Sequence, residues 1–254
     1  MKNKMKAMIF AAGLGTRLKP LTNSTPKALV KIHGKPMLEW TILRLKQFNV
    51  REIIINVHHF SDQVIDFLQS KNNFGIHIEI SHEQELLDTG GGLKKAAWFF
   101  SDADTVLLHN CDVLSTIDLN KMYEQHIKSN ADATLAVRTR KTNRYLLFDT
   151  SNKLVGWKSK KEQKTIWVNK PVINSRELSF CGIHIISANF LKYLSNQIKI
   201  PIIEEYLRLA NMFNIYAFNS NEYDWLDLGR KESINLATDI LDSSYFLDLE
   251  KYYN

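Results

Sequence analysis

The sequence predicts an α/β fold, a mainly parallel sheet with helices on both faces. Three observations carry this. A short apolar run at residues 7–12 stops at Gly13-Leu14-Gly15, the pattern of a buried strand opening into a loop. Strand-like and helix-like stretches then alternate through the first half of the chain, the rhythm of βαβ units. Finally, 254 residues at 44% hydrophobic and 24% charged are enough for one large domain, or one domain plus a small lobe, around a sizeable core.

In chain order, residues 36–48 place Met37, Trp40, Ile42, Leu43, Leu45 and Phe48 on a helical stripe opened by proline. Residues 52–57 (EIIINV) read as a buried strand. Ser61 is expected to cap a helix whose apolar face is Val64, Ile65, Phe67 and Leu68. Residues 76–80 alternate as a strand, 92–100 read as a helix, 105–108 as a strand, 118–127 as a helix and 133–137 as a strand. There the rhythm changes. Residues 145–148 and 154–157 flank an Asp-Thr-Ser-Asn turn, a hairpin. The lysine-rich stretch 158–170 is a loop or a short strand pair. A strand at 178–186, a helix at 200–212, a strand at 215–218 and a helix ending near Leu241 complete the pattern. The aromatic-rich tail, 243–254, is expected to pack as a terminal helix or on a partner subunit.

A net charge of +6 suits an anionic partner without specifying one. Apart from Lys158, Lys160, Lys161 and Lys164 the charges are scattered, which argues against nucleic acid. Cys111 and Cys181, the only cysteines, lack metal-ligand spacing, so free thiols in a reducing compartment are expected. Residues 1–5 contain no apolar signal-peptide core, and no apolar stretch reaches the roughly 20 residues of a membrane span. The expectation is a cytoplasmic chain that engages neither membrane nor nucleic acid. The oligomeric state stays open, a homo-oligomer included.

Glycines directly after a strand let backbone N–H groups approach an anion. Arg17 and Lys27 add one forked and one point positive charge. Ala11, Ala12, Gly13, Gly15, Thr16, Arg17 and Lys27 are therefore candidate contacts for a nucleoside triphosphate (NTP). The Walker ending is absent, and Leu18 stands where the Rossmann pattern needs its third glycine. The full run G-x-G-T-R-x-x-P-L-T, followed by Pro26-Lys27 and then Gly34-Lys35-Pro36-Met37, resembles the signature of the sugar-1-phosphate nucleotidyltransferases, the NDP-sugar pyrophosphorylases. The resemblance implies the Rossmann-like nucleotide-diphospho-sugar transferase fold with a small β-rich acceptor lobe. A single domain is expected, with a nucleotide part at about 1–135, an acceptor part at about 136–241 and a tail at 242–254. The resemblance also implies that the glycine loop and Arg17 hold the triphosphate and that Lys27 meets the phosphates at the reacting centre.

In the stretch from Glu83 to Gly92, three glycines follow a strand and open a helix. That permits close backbone approach and leaves helix N-terminal N–H groups free; taken alone, a flexible loop is the plainer reading. The family reads base and ribose with a glutamate-x-leucine-x-Thr-Gly-Gly element, and Glu85, Thr89 and Gly90 fall on it. The Thr-Gly-Gly-Gly form most resembles the N-acetylmuramate-1-phosphate uridylyltransferases, and related forms occur in guanylyltransferases.

Asn110-Cys111-Asp112 ends an apolar strand with one carboxylate, where a hard cation can bridge protein and phosphate oxygens. A cap on the next turn is the alternative. The family carries glycine where Cys111 stands, and Cys111 is expected to be a small buried thiol. The resemblance implies that Asp112 and Asp227, the latter in a W-x-D-x-G element, bind Mg²⁺ together; Asp224 reads as surface or cap. The family's Glu-Lys-Pro motif for the sugar phosphate is missing. Arg144 and Lys158 are either anion contacts or solvated surface charges, and Gly182 either leaves room for a hexose ring or marks a bulge. Asn110 joins them as a candidate sugar-phosphate contact. The implied reaction is in-line nucleotidyl transfer from an NTP to a sugar 1-phosphate, preferably UTP with N-acetylmuramate 1-phosphate in cell-wall recycling. The alternatives are GTP with mannose or heptose 1-phosphate, a cytidylyltransferase for a non-sugar phosphate, and a non-catalytic nucleotide-sensing subunit.

Overall fold

Most apolar stretches form the element their spacing predicts. The computed structural model describes residues 4–242 and 246. The chain runs through β1 (Met5–Phe10), β2 (Lys31–Ile32), β3 (Lys35–Pro36), α1 (Met37–Gln47), β4 (Glu52–Val57), α2 (Ser61–Ser70) and β5 (His77–His82). It continues through α3 (Asp88–Lys95), β6 (Thr105–Asn110), β7 (Val113–Ser115), α4 (Leu119–Lys128), β8 (Ala133–Arg138), β9 (Arg144–Phe148), β10 (Leu154–Ser159) and β11 (Lys164–Trp167). β12 (Arg176–Ser187), α5 (Ile202–Leu209), β13 (Ile215–Asn219), β14 (Trp225–Asp227) and α6 (Lys231–Leu241) complete it. The α/β class is the expected one. Two units interleave along the chain: Met5–Leu86, Leu108–Ile117 and Tyr223–Asn254 form a glycine-loop unit, and Met1–Lys4, Leu87–Leu107 and Asp118–Glu222 form a hairpin unit. β14 pairs with the far earlier β7 within the glycine-loop unit.

In the glycine-loop unit, β1, β4 and β5 are parallel, with Ala7 opposite Ile53 and Ile53 opposite Ile78. Ala7, Met8, Ile9, Ile53, Ile54 and Ile55 are fully buried, as expected for strands of a parallel sheet covered on both faces. The β2–β3 pair turns at His33 (φ 49°) and Gly34 (φ 83°), the positive-φ pair that suits a tight hairpin. Two-residue strands are too short to read from periodicity. A second core gathers Leu18, Val30, Met37, Trp40, Leu228 and Leu241. Phe246 joins it, edge-on to Trp40 with ring centroids 5.7 Å apart; the rest of the tail lies outside the described residues. Ser61 is the first residue of α2 and not its cap: Phe60, left-handed at φ 56°, precedes it without a side-chain cap.

The hairpin unit is mostly antiparallel. β12 pairs with β8 and β9, β10 pairs with β9 and β11, and β13 runs parallel to β8. The β9–β10 turn closes on Asp149, whose Oδ1 accepts from Ser151 N at 2.8 Å and Lys153 N at 2.9 Å. Asp118 caps α4, accepting from Asn120 N and Lys121 N. The register of β12 against β8 shifts between Phe180 and His184, and Gly182 sits in that bulge at φ 73°.

The glycines after β5 lie inside α3, which begins at Asp88. Their N–H groups are engaged: Gly90 N and Gly91 N donate to Ile200 O at 2.8 and 3.2 Å. A Cβ on Gly91 would stand 2.2 Å from Ile198 O. The glycines thus let another backbone segment of the same unit lie against the helix. Gly91→Ala is expected to cost at least about 2 kcal/mol of stability, because the obstacle is backbone; urea unfolding checks this.

His126 on α4 is buried, its Nδ1 2.9 Å from Thr134 Oγ1. Burial pulls its pKa down to about 4. The unfolded chain takes up this proton near pH 6.5, the folded one only near pH 4. Stability should therefore fall as pH drops through that window, by up to about 1.4 kcal/mol per pH unit from this residue. His126→Gln should flatten that part of the stability–pH curve.

Candidate active site

β1 delivers the chain to the loop at Ala11 and Ala12, both buried, and Gly13, Thr16 and Arg17 are exposed. Gly15 is left-handed at φ 63°, and a Cβ there would lie 2.9 Å from both Lys27 Cβ and Thr22 Cγ2. Conformation and space both demand glycine. Leu18 N and Thr22 Oγ1 each donate to Gly15 O at 2.9 Å. The resulting turn, Thr16–Leu18, is anchored by the fully buried Leu18. Lys27 opens a second such turn, Lys27–Leu29.

Asp112 and Asp227, far apart in sequence, arrive at one place. The antiparallel β7–β14 pair sets Asp227 opposite Val113, and Leu228 N donates to Asp112 O at 2.8 Å. Thr116 N donates to Asp224 O at 3.0 Å at the other end, and Asp224 itself is exposed. β7 is held from α1 by the buried Arg44, which donates to Ser115 Oγ at 3.1 Å and to Ile117 O. Gly229 shows how tightly the charges converge. A Cβ on it would meet Arg17 Nη2 at 2.7 Å, Asp227 Oδ1 at 2.8 Å and Asp112 Oδ2 at 3.1 Å. Lys27 Nζ is paired with Asp112 Oδ2.

Burial of Lys27 works against its charge, but Asp112, with smaller help from Cys111 and Asp227, outweighs it and raises the pKa. Lys27 is a firm ammonium at any ordinary pH. Burial, reinforced by Asp112, pushes the Cys111 thiol up to about 12, so it stays protonated and is a poor nucleophile. Two carboxylate oxygens around one point are hard donors that fit Mg²⁺, which takes one or two carboxylates and leaves its other positions to phosphate and water. Among the described residues no group of three or more His, Cys, Asp or Glu side chains is placed to hold a metal.

Glu85 is exposed beyond β5, and Asn110 is half-buried at the end of β6. The other candidates lie in the hairpin unit. Thr89 Oγ1 accepts from Ile202 N at 3.0 Å. Arg144 lines a cavity of about 540 Å³ together with Arg140, Lys164, Tyr145, Trp157 and Phe180. Lys158 is paired with Glu177 at 2.6 Å, and Lys160 shares that carboxylate at 2.9 Å. Arg44 and Gly229 carry little signal in the sequence: Arg44 is an arginine inside a helix's apolar stripe, and Gly229 is the closing glycine of the W-x-D-x-G element.

Two cations and two carboxylates around one point, beside a glycine loop at the end of a parallel strand, suit a polyphosphate carrying a hard cation. Residues 6–243 match the nucleotidyl transferase family, and the chain belongs to it. It is 40% identical over 121 residues to the N-acetylmuramate alpha-1-phosphate uridylyltransferase of Neisseria meningitidis serogroup B, covering 47% of this chain and 52% of that one. It is 28% identical over 237 residues to the mannose-1-phosphate guanyltransferase of Yarrowia lipolytica, covering 92% of this chain and 63% of that one. The UDP-glucose pyrophosphorylase of Acinetobacter baumanii shares the fold, with a TM-score of 0.75 at 18% identity over 98% of each chain. The chain spans 38–63% of the length of the curated relatives compared. Among the described residues no helix is long and apolar enough to cross a membrane.

Proposed function

We propose that the chain transfers a nucleotidyl group from an NTP to a sugar 1-phosphate and releases pyrophosphate. The convergence of Arg17, Lys27, Asp112 and Asp227 beside the glycine loop carries this reading. The sugar phosphate supplies an anionic oxygen that attacks the α-phosphorus. The bond from that phosphorus to the α–β bridging oxygen breaks, and pyrophosphate leaves with the electron pair. No covalent enzyme intermediate is required. The protein must hold two polyanions together and neutralise the charge that builds up, so positioning and electrostatics carry the rate. The loop from Ala11 to Thr16 would cradle the triphosphate, Arg17 would take the leaving pyrophosphate, and Lys27 would stand at the reacting phosphate. Mg²⁺, held by Asp112 and Asp227, would supply Lewis-acid polarisation. The roles of Glu85, Thr89, Gly90, Asn110, Arg144, Lys158 and Gly182 rest on the resemblance of their motifs.

The substrate pair we propose is UTP with N-acetylmuramate 1-phosphate, in the cytoplasm and in cell-wall recycling. The Thr89-Gly90-Gly91-Gly92 run and the similarity to the Neisseria protein support it. The Yarrowia guanyltransferase, which matches more of the chain, favours GTP with mannose 1-phosphate as a second reading. Pyrophosphate release, measured across four NTPs and a panel of sugar and non-sugar phosphates with Mg²⁺, decides between them. UTP with N-acetylmuramate 1-phosphate should be fastest. Fastest release with GTP would install the second reading, and nucleotide binding without release from any pair would overturn transfer in favour of sensing.

A further inference from the structure

β4 contains one residue that does not match its surroundings. Asn56 follows Ile53, Ile54 and Ile55 and is itself buried. A buried amide is costly unless its hydrogen bonds are made. Both sides of this one are used. Asn56 Oδ1 accepts from Ala11 N at 2.7 Å, and Asn56 Nδ2 donates to Glu83 Oε1 at 2.7 Å. Glu83 is buried as well. Its backbone is fixed by Glu83 N donating to Val57 O at 2.7 Å and by His58 Nδ1 lying 2.8 Å from Glu83 O.

These partners have particular positions. Asn56 lies opposite Phe10 on one side and Ser81 on the other, at the carboxyl ends of β1, β4 and β5. Ala11 N–H is the first backbone donor beyond β1, at the start of the glycine loop. Glu83 begins the segment that leads to Glu85. One side chain on the middle strand therefore spans the exits of both its neighbours. We propose that Asn56 is a positioning residue for the nucleotide: it locks the start of the glycine loop to the segment after β5 and so sets their spacing before the NTP arrives. Asn56 touches no reacting atom; it acts through the loop. The inference rests on the proposed nucleotidyl transfer for its kinetic readout only.

The donor–acceptor order of the relay gives the test. Asn56→Leu keeps the branching of the side chain, with somewhat larger methyl groups in place of the amide oxygen and nitrogen, and removes both bonds, leaving the Ala11 N–H and a Glu83 oxygen without this partner. Asn56→Asp combined with Glu83→Gln rebuilds the relay with only its second bond reversed, since Asp can accept from Ala11 N as before and also from the new amide. Asn56→Leu should raise the NTP KM by about ten-fold or more, the scale of unmade buried bonds, with kcat moved less. It should also speed hydrogen exchange in peptides covering residues 11–18. The double variant should recover both to within about three-fold. If Asn56→Leu does not fold, Asn56→Asp alone against the double variant carries the comparison. Unchanged NTP KM and loop exchange in Asn56→Leu, or a double variant no better than Asn56→Asp alone, would overturn the assignment. If the parent protein turns over no nucleotide, the transfer reading fails instead, and loop exchange still tests the relay.

Discussion

Asp112→Asn is expected to lower pyrophosphate-forming turnover by at least ~100-fold, the scale of one lost charge-stabilising group. The change removes a hard oxygen donor proposed for Mg²⁺. It also takes away the counter-charge that Lys27 depends on: Asp112 is the leading influence that keeps this mostly buried ammonium charged against desolvation. Lys27→Ala should be equally slow for a different reason, since it strips the positive charge proposed for the reacting phosphate. The two variants should differ in their response to metal. The Lys27 ammonium, paired with Asp112 Oδ2, would repel a cation brought to the same carboxylate. Removing Lys27 should therefore lower the Mg²⁺ concentration needed for half-maximal nucleotide binding, and Asp112→Asn should raise it. Near-parental turnover in both, with circular dichroism unchanged, would refute the roles given to these residues.

Gly229→Ala is expected to be as damaging, from a single methyl group. The added carbon would arrive 2.7 Å from Arg17 Nη2, 2.8 Å from Asp227 Oδ1 and 3.1 Å from Asp112 Oδ2. Asp227 Oδ1 cannot easily retreat, because Gly229 N donates to it at 2.8 Å. Arg17 is exposed and can swing away. Most of the relief should come from the guanidinium, displaced from the point where the charges meet. A misplacement of about 1 Å in a positioning group can cost ~100-fold in rate. The stability loss should stay near 1 kcal/mol, because the yielding group is a flexible surface side chain. Thermal unfolding and turnover measured together check this. A stable variant with undiminished turnover would show that Arg17 has room to spare.

The amino-terminal part of this site was legible because its demands are local. Gly13 and Gly15 follow a buried strand, and Arg17 and Lys27 sit on turns that their own neighbours build. The pairing of Asp112 with Asp227 was not available from spacing; only the resemblance of the two motifs suggested it. Its physical cause is β7 against β14, three residues each, too short to show a period. The partner of the glycines near Gly90 was out of reach for a related reason. The close approach they permit is made by backbone at Ile198 and Ile200, a contact more than a hundred residues away in sequence. Ser61 failed as a cap because a left-handed Phe60 starts that helix, a conformation that composition disfavours. Arg44 and Asn56 were absorbed into apolar stripes. A polar residue in such a stripe is itself a signal, since it must find partners there.

The β7–β14 ribbon also has a temporal consequence. A ribosome releases Trp225–Asp227 long after the strand it pairs with, so a nascent chain that has reached only Glu222 already carries Arg17, Lys27 and Asp112 but lacks the second acid. Premature termination or proteolytic clipping ahead of Tyr223 would remove Asp227 and, with it, Leu228 and Leu241, which pack with Leu18 beneath the Thr16–Leu18 turn. The short ribbon thereby makes the pairing of Asp112 with Asp227 contingent on synthesis having passed residue 227.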